Sequence, residues 1–198
     1  TIERMRAYRK TYFAMLISST LSLIASLVLS IDAWKLAGNP NSKFACDINA
    51  VVSCGKVAKS WQSTLLGFPN SFLGLMTEPV VITVAIAGLA LVAFPKKFLR
   101  VAHVVYGLGL IFALWLLSQS FFVIKAFCPW CLLVTVSTIT VFSTMSRIVI
   151  MENVWNLSEA TYEKAVSFLE RGWGRVLYSA IYTFLAIAII LKYGNQIF

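Results

Sequence analysis

Long apolar runs, separated by shorter polar links, dominate the chain. The first run is "YFAMLISSTLSLIASLVLSI", about residues 12–31, and four more follow at about 71–94, 101–124, 131–150 and 176–192. A helix crosses the hydrocarbon core of a bilayer with about 20 apolar residues, and each run is close to that length. The runs lack an alternation of apolar and polar positions and are too long for the strands of a membrane β-barrel. The pattern therefore predicts an all-α membrane protein with five transmembrane helices.

Composition agrees with a membrane protein. Of the 198 residues, 59% are hydrophobic and only 13% are charged, and the net charge is +9. Soluble domains are about 45–50% apolar and about 25% charged. In a soluble protein this positive charge would suggest nucleic acid as a partner, but here most basic residues flank the apolar runs and no nucleic-acid motif is present. The length favours a single integral membrane domain over residues 1–198.

Basic residues predict the orientation of the helices in an inner or plasma membrane. Eleven lysines and arginines lie before the first run or in the links after the second and fourth runs, whereas six lie on the other side. Cytoplasmic loops carry such an excess, so we expect a cytoplasmic N-terminus and an extracytoplasmic C-terminus. No signal-peptide cleavage site follows the first run, so this run is expected to remain in the protein. The eleven are Arg4, Arg6, Arg9, Lys10, Lys96, Lys97, Arg100, Arg147, Lys164, Arg171 and Arg175.

A shorter amphipathic helix is predicted between the fourth and fifth runs. Residues 156–172, "NLSEATYEKAVSFLERG", offer Asn156 or Ser158 as an N-cap and Gly172 as the terminating residue. We expect this helix to lie in the cytoplasmic membrane interface. Its apolar face would consist of Tyr162, Ala165, Val166 and Leu169.

All four cysteines are predicted to lie on the extracytoplasmic side. Cys46 and Cys54 are in the long loop after the first run, about residues 32–70, and Cys128 and Cys131 lie between the third and fourth runs. Two membrane crossings separate these loops, so the loops face the same side. Disulfides persist in an extracytoplasmic compartment, which makes redox chemistry plausible for all four thiols.

The two cysteine pairs differ in their local chemistry. Pro129 suits the first position of a helix, so Cys131 is expected in the first turn, where the helix dipole favours a thiolate. A reactive Cys-x-x-Cys pair beside the bilayer can pass electrons to a lipid-soluble carrier, and a quinone is the candidate because it is apolar and accepts two electrons. Cys46 and Cys54, in a polar loop, can be reached from water and can exchange with Cys128 through a mixed disulfide.

Two other roles for the cysteines remain open. A structural zinc site is less favoured, because the gap between Cys46 and Cys54 is too long for a zinc knuckle. Alternatively, the cysteines form two structural disulfides in a non-catalytic membrane protein, as such bonds staple secreted loops. A bridge from Cys128 to Cys131 would close too small a loop to constrain much chain entropy, which favours reactivity over stabilisation.

Three segments together resemble the vitamin K epoxide reductase (VKOR) family. They are "CDINAVVSC" in the long loop, "GFPNSFLG" at the start of the second run and "FFVIKAFCPWC" before the fourth run. The separated cysteine pair precedes the Cys-x-x-Cys pair, as in VKOR, whereas the bacterial quinone-linked thiol oxidase DsbB has the reverse order. The resemblance covers about residues 12–150. The fifth run and the "CPWC" sequence favour a bacterial member that forms disulfides as DsbB does.

The resemblance implies a four-helix bundle around a quinone, capped by a half-helix in the long loop, with a peripheral fifth helix. It implies that Cys128 and Cys131 are the active-site pair and that Cys131 lies next to the quinone. Cys54 would exchange with Cys128, and Cys46 would face an extracytoplasmic thioredoxin-like (DsbA-like) partner on another chain or domain. The implied activity is oxidation of that partner with reduction of menaquinone, ubiquinone or vitamin K. Reduction of vitamin K quinone or its epoxide is the enzymatic alternative.

Five residues are candidates for the quinone site. Asn70 matches the family asparagine that hydrogen-bonds a quinone carbonyl, although its place at the start of the second run also suits an N-cap. Thr135 stands where vertebrate enzymes have a tyrosine. Glu78 is an acid within a span, expected either to relay a proton to the quinone or to reach interfacial water. Phe122 and Phe127 would line the pocket or belong to the interfacial aromatic belt.

Overall fold

The chain is helical almost throughout. The computed structural model describes residues 8–197, and within this range the β structure is limited to one bridge, between Val52 and Phe127. The prediction of an all-α membrane protein is confirmed. In chain order the helices are α1 (Arg9–Gly38), α2 (Cys54–Ala58), a 3-10 turn (Trp61–Thr64), α3 (Ser71–Leu89), α4 (Lys96–Gln119) with a terminal π-turn (Ser120–Ile124), α5 (Pro129–Met151), α6 (Glu159–Glu170) and α7 (Trp173–Ile197).

Four helices within the described range are long and apolar enough to cross a membrane, namely α1, α3, α4 with its π-turn, and α5. They correspond to the first four predicted runs. The fifth run lies in α7, whose apolar segment Val176–Lys192 is shorter than these four. The side on which each end lies stays a prediction, and Arg4, Arg6 and the side chain of Arg175, on which it partly depends, lie outside what the structure describes.

The helix ends differ from the ends of the apolar runs. Helix α3 stops at Leu89 instead of about residue 94, because Leu91 adopts a left-handed φ of 64° and the N–H of Val92 turns back to the carbonyl of Ala87. Helix α1, in contrast, begins before and ends after the first predicted run, and α4 begins before the third predicted run. Hydropathy reports which residues suit hydrocarbon, whereas a helix continues through polar residues until its backbone turns.

Small residues bring α1 and α3 close together. A Cβ atom added to Gly74 of α3 would lie 2.0 Å from Ser26 Oγ of α1, and one added to Gly88 would lie 2.3 Å from the Tyr12 ring. Such close approach of backbones is how helices associate in a membrane, where the hydrophobic effect does not drive them together. Helix α1 also packs on α5, and α5 packs on α4, which completes a four-helix bundle.

The buried residues of the bundle form three layers. One end is apolar and contains Met15, Val81 and Val149, among others. The other end, which we call the cysteine end, contains a cluster of Phe44 with three of the four cysteines. Between them lies a buried polar layer, comprising Ser19, Ser22, Ser26, Glu78, Thr135, Ser137 and Thr138.

The predicted amphipathic helix is present as α6, with narrower bounds. Ser158 occupies the N-cap position with extended backbone, whereas Asn156 lies outside the helix with a φ of 51°. Gly172, with a φ of 81°, follows the C-terminal end as expected. The four residues of the predicted apolar face are the half-buried ones, together with Ser167. The interfacial position of α6 stays a prediction.

Candidate active site

Asp47 organises the loop that carries the first cysteine pair. Its carboxylate accepts hydrogen bonds from the N–H of Phe44 at 2.9 Å, the N–H of Gly55 at 2.8 Å and the hydroxyl of Ser53 at 2.7 Å. Burial alone would raise the pKa of Asp47, but these hydrogen bonds, with Lys59 nearby, hold the pKa below its usual value. The Asp47 carboxylate therefore ties the residues before Cys46 to those around Cys54.

The loop cysteines are bonded to each other. A disulfide joins Cys46 and Cys54, whose Cα atoms are 5.6 Å apart. Cys54 is only 2% exposed, since it begins α2 and faces the bundle, while Cys46 is 8% exposed and precedes exposed loop residues. The two sulfurs of one bond thus differ in their surroundings, one directed inward and the other closer to the surface.

Cys128 occupies the N-cap of α5, and Pro129 begins the helix as predicted. Cys131 lies in the first turn, and its N–H donates to Cys128 Sγ at 3.3 Å. The hydrogen bond from the Cys131 thiol, supported by the N–H groups of Cys131 and Trp130, lowers the pKa of Cys128 although the residue is buried. The helix N-terminus therefore favours a thiolate at Cys128, because an N-cap side chain faces the free N–H groups of the first turn. The thiolate expected at Cys131 stays a prediction.

The two cysteine pairs meet at one end of the bundle. The side of the membrane on which this end lies stays a prediction. Cys128 Sγ lies 3.4 Å from Cys54 Sγ, and neither cysteine of the second pair is disulfide-bonded. Two backbone hydrogen bonds hold the loop against the turn before α5, from the N–H of Ser53 to the carbonyl of Phe127 at 3.0 Å and from the N–H of Phe127 to the carbonyl of Val51 at 2.6 Å. Because these bonds flank both sulfurs, they fix the contact between Cys54 and Cys128.

This arrangement, a bonded loop pair in contact with a Cys-x-x-Cys pair at the start of a membrane helix, agrees with a comparison against known families. The model of the vitamin K epoxide reductase family matches residues 13–146. The chain belongs to this family. VKOR proteins are membrane oxidoreductases that couple the redox chemistry of quinones to that of disulfides. This chain is therefore a membrane oxidoreductase of that general kind. No curated protein matches the chain.

Asn70 of this VKOR protein has open hydrogen-bonding positions. Its amide Nδ2 donates to the carbonyl of Gln62 at 2.6 Å, and its Oδ1 is buried without a hydrogen-bond partner among the described residues. Asn70 occupies the N-cap position of α3 as the alternative expected, but its side chain makes no capping hydrogen bond. Ser71 Oγ accepts from Ser30 Oγ at 2.9 Å. An amide carries two donor hydrogens, so one donor and one acceptor remain for a ligand.

Thr135 and Glu78 lie in the polar layer of the VKOR bundle. Thr135 is buried one turn after Cys131 and donates its hydroxyl to the carbonyl of that residue at 3.0 Å. Glu78 is only 3% exposed, so the alternative that it reaches interfacial water is wrong. Its Oε1 accepts from Ser22 Oγ at 2.8 Å and from the Tyr106 hydroxyl at 3.0 Å. Its Oε2 is buried and has no hydrogen-bond partner in the described part of the chain.

The two candidate phenylalanines have different environments. Phe122 is 73% exposed, and the ammonium of Lys192 lies 4.9 Å from the centre of its ring, so the structure does not bring Phe122 to the cysteines. Phe127 is half-buried beside Cys128 and lines an apolar cavity of about 360 Å³ between α5 and α7. The other lining residues are Leu132, Val136, Tyr182, Leu185, Ala186, Ile189 and Ile190.

Sequence reasoning missed the partners of the site residues. Ser22 and Tyr106 hold Glu78, and Gln62 holds Asn70. One signal for the first was available, since Ser19, Ser22, Ser26 and Ser30 recur at three- and four-residue spacing in the first apolar run and so share one face of a helix. No comparable pattern marks Tyr106 or Gln62.

Proposed function

We propose that the protein is a thiol oxidase that takes two electrons from an extracytoplasmic thioredoxin-like dithiol protein and passes them to a quinone. The observation that carries this proposal is the 3.4 Å contact between Cys54 Sγ, which belongs to a disulfide, and Cys128 Sγ. Thiol–disulfide exchange needs such an approach, and reacting atoms about 3–3.5 Å apart are close to attack geometry. Two structural disulfides that only staple loops would not need to touch.

Electrons would travel from the surface inward through two exchanges. The partner dithiol reduces the Cys46–Cys54 disulfide and itself becomes a disulfide. The Cys54 thiolate then attacks Cys128 of a Cys128–Cys131 disulfide and releases the Cys131 thiolate. Finally Cys46 attacks Cys54, so that the loop disulfide re-forms and Cys128 is released. Each exchange breaks one S–S bond and forms one, and the proton of each attacking thiol passes to the thiolate that leaves.

The structure corresponds to the state after these exchanges, with the loop pair oxidised and Cys128 and Cys131 reduced. The lowered pKa of Cys128 suits its role, because a thiol of low pKa leaves a mixed disulfide faster. Cys46, the less buried member of the loop pair, is proposed as the point of attack for a protein partner, since Cys54 is more deeply buried.

A bound quinone would accept two electrons and two protons, which returns Cys128 and Cys131 to the disulfide. Menaquinone, ubiquinone and vitamin K all supply this chemistry. Asn70 and Thr135 are the residues proposed to hold its head group beside Cys131. The open donor and acceptor of Asn70 fit both redox forms, because a carbonyl needs a donor and a hydroxyl needs an acceptor.

Glu78 is proposed to hold a proton for this reduction. Its Oε2 atom is buried without a hydrogen-bond partner among the residues that the structure describes, and Tyr106, which donates to its Oε1, also contacts Thr138. Thr138 lies one turn from Thr135 on α5, and Thr135 donates to the carbonyl of Cys131. Thr138 donates its own hydroxyl to the carbonyl of Val134, so Thr135 and Thr138 are linked only through the backbone of α5. The polar side chains of this segment lead from Glu78 toward Cys131, and intramembrane acids commonly serve in proton relays.

A cross-linking experiment tests the exchange step. The double variant Cys46→Ser, Cys131→Ser keeps Cys54 and Cys128, whose sulfurs need to move only from 3.4 Å to the bonded distance of about 2.0 Å. We expect a Cys54–Cys128 disulfide to form on mild oxidation, detected by mass spectrometry of unreduced peptides. The matched control, Cys54→Ser with Cys131→Ser, keeps Cys46 and Cys128 and should cross-link much more slowly. Equal cross-linking of the two variants would contradict the proposed order.

A turnover assay tests the complete reaction. Purified protein is mixed with ubiquinone or menaquinone and a reduced dithiol protein, and quinone absorbance is followed. We expect quinone reduction with the wild type and none with Cys131→Ala. Full activity of Cys131→Ala, or no reduction by the wild type with either quinone, would refute the function.

A further inference from the structure

The surface beside the loop disulfide is basic. The segments that converge on the cysteine cluster, residues 32–70 and 120–131, contain five lysines but only two acids, Asp32 and Asp47. All five lysines are exposed, and they come from the end of α1, the loop, α2 and the turn before α5. They are Lys35, Lys43, Lys56, Lys59 and Lys125.

The two acids are already engaged within the protein. Asp47 directs its carboxylate inward to three hydrogen-bond donors of the loop and interacts electrostatically with Lys59. Asp32 interacts in the same way with Lys35. The positive charge of Lys43, Lys56 and Lys125 is therefore in excess at this surface.

An apolar side chain projects from the same surface. Ile48 lies two residues after Cys46 and is 73% exposed. The loop holds it in place, since the N–H of Ile48 donates to the carbonyl of Val52 at 2.9 Å. A single exposed apolar residue is common in proteins and means little alone. Its position two residues from Cys46, the less buried cysteine of the loop disulfide, is the informative feature.

Covalent geometry forces a partner onto this surface. Residues joined by a disulfide have Cα atoms about 4.4–6.8 Å apart, so a protein that forms a mixed disulfide with Cys46 must bring its own backbone against the neighbouring loop residues. Lys43 and Ile48 are three and two positions from Cys46, and α2, which begins at the bonded Cys54, presents Lys56. These side chains must therefore lie in or at the rim of that complex.

We infer that the surface formed by Lys43, Ile48, Lys56 and Lys125 selects a dithiol partner whose Cys-x-x-Cys site has an acidic rim and an apolar spot for Ile48. This inference rests on the proposed function, because it assigns the partner's chemistry. Charges at the rim of an interface mainly steer association, and their effect falls as salt screens them. The lysines should therefore set the rate of the first exchange at low salt.

Peptides provide a direct test. Three synthetic peptides share one Cys-x-x-Cys core and are flanked by glutamates, serines or lysines, and their oxidation by the protein with ubiquinone is measured at low and high salt. We expect the glutamate-flanked peptide to react about tenfold faster than the lysine-flanked one at low salt, with the difference shrinking at high salt. Lys43→Glu with Lys56→Glu should reverse the order. The matched control, Lys97→Glu with Lys164→Glu, changes the same number of exposed lysines away from the cysteine end and should leave the order unchanged.

A second readout separates this inference from the proposed function. In Cys54→Ser the thiol of Cys46 is available, and its reaction with single-cysteine peptides activated as thionitrobenzoate disulfides needs no quinone. Faster reaction of the glutamate-flanked peptide supports the inference, and equal rates at low salt overturn it. Failure of the wild type to oxidise any peptide with quinone, combined with a glutamate preference at Cys46, refutes the oxidase function alone. A Lys43→Glu, Lys56→Glu variant that keeps the preference for the glutamate-flanked peptide would show that these lysines do not select the partner and would overturn the inference.

Discussion

Replacement of Glu78 by Gln and by Ala distinguishes the structural role of this buried acid from its proposed role in proton transfer. One carboxylate oxygen accepts hydrogen bonds from Ser22 of α1 and Tyr106 of α4, so Glu78 connects three helices. Hydrogen bonds between membrane helices contribute about 0.6 kcal/mol on average and up to about 1.7 kcal/mol. The two bonds together should therefore stabilise the bundle by about 1–3 kcal/mol.

The two substitutions should have unequal effects on stability. Glu78→Gln keeps a carbonyl oxygen at the position of Oε1, so we expect a loss below about 1 kcal/mol. Glu78→Ala leaves the hydroxyls of Ser22 and Tyr106 buried without this acceptor and opens a cavity, for which about 2–4 kcal/mol is expected. At about 2–4 °C per kcal/mol for a chain of this size, the unfolding midpoint should fall by roughly 4–16 °C in Glu78→Ala. Thermal unfolding in detergent micelles measures both values.

Glu78→Gln, which should change stability little, is expected to lower turnover strongly. Gln cannot release a proton, and general acid–base catalysis typically contributes about 10²–10⁴-fold. We therefore expect Glu78→Gln to lower quinone reduction by at least about 10²-fold while the cross-linking of Cys54 to Cys128 stays at the wild-type rate. Wild-type turnover of Glu78→Gln at every pH would refute the proton role. A midpoint of Glu78→Gln as low as that of Glu78→Ala would refute the hydrogen-bond reasoning.

Three further predictions concern the residues that position the site. Gly74→Ala should destabilise the bundle by about 1–3 kcal/mol, because the added Cβ would lie 2.0 Å from Ser26 Oγ. Ser26→Gly in the same protein should restore the unfolding midpoint. Failure of this rescue would show that a different contact causes the loss. Asp47 has a lowered pKa, so its contribution to stability is present above the unfolded pKa of about 3.9 and is lost as pH falls through the folded pKa. The unfolding midpoint of Asp47→Asn should therefore decline less with acid than that of the wild type. An equal decline in the two proteins would contradict the assignment. Cys131→Ala should raise the pKa of Cys128, because it removes the hydrogen bond from the Cys131 thiol. The pH profile of iodoacetamide alkylation at Cys128 should then shift to higher pH. An unshifted profile would show that other groups stabilise the Cys128 thiolate.

The elements predicted well from sequence depend on properties that each segment carries by itself. The length and apolar character of a run indicate a span whatever it packs against, and parity alone places the loops of Cys46 and Cys128 at the same end of the bundle. The family motifs add the pairing of Cys54 with Cys128, which neither property supplies. The sequence does not indicate how each helix is rotated about its own axis, and therefore which face it turns toward its neighbours. Glu78 and Tyr106 meet only because α3 and α4 turn those faces toward each other, and no local pattern encodes that.

The segment "FFVIKAFCPWC" illustrates why neighbouring residues of one motif have different roles. Phe122 lies in the π-turn and is exposed, whereas Phe127, five positions later, is half-buried against the loop. Lys125 separates them, with a left-handed φ of 52° that few residues other than glycine adopt. This reversal lets Phe127 pair with Val52 and thereby places Cys128 against Cys54. The backbone of one exposed lysine, a residue that hydropathy counts only as polar, thus sets the direction of the chain at the point where the two cysteine pairs touch.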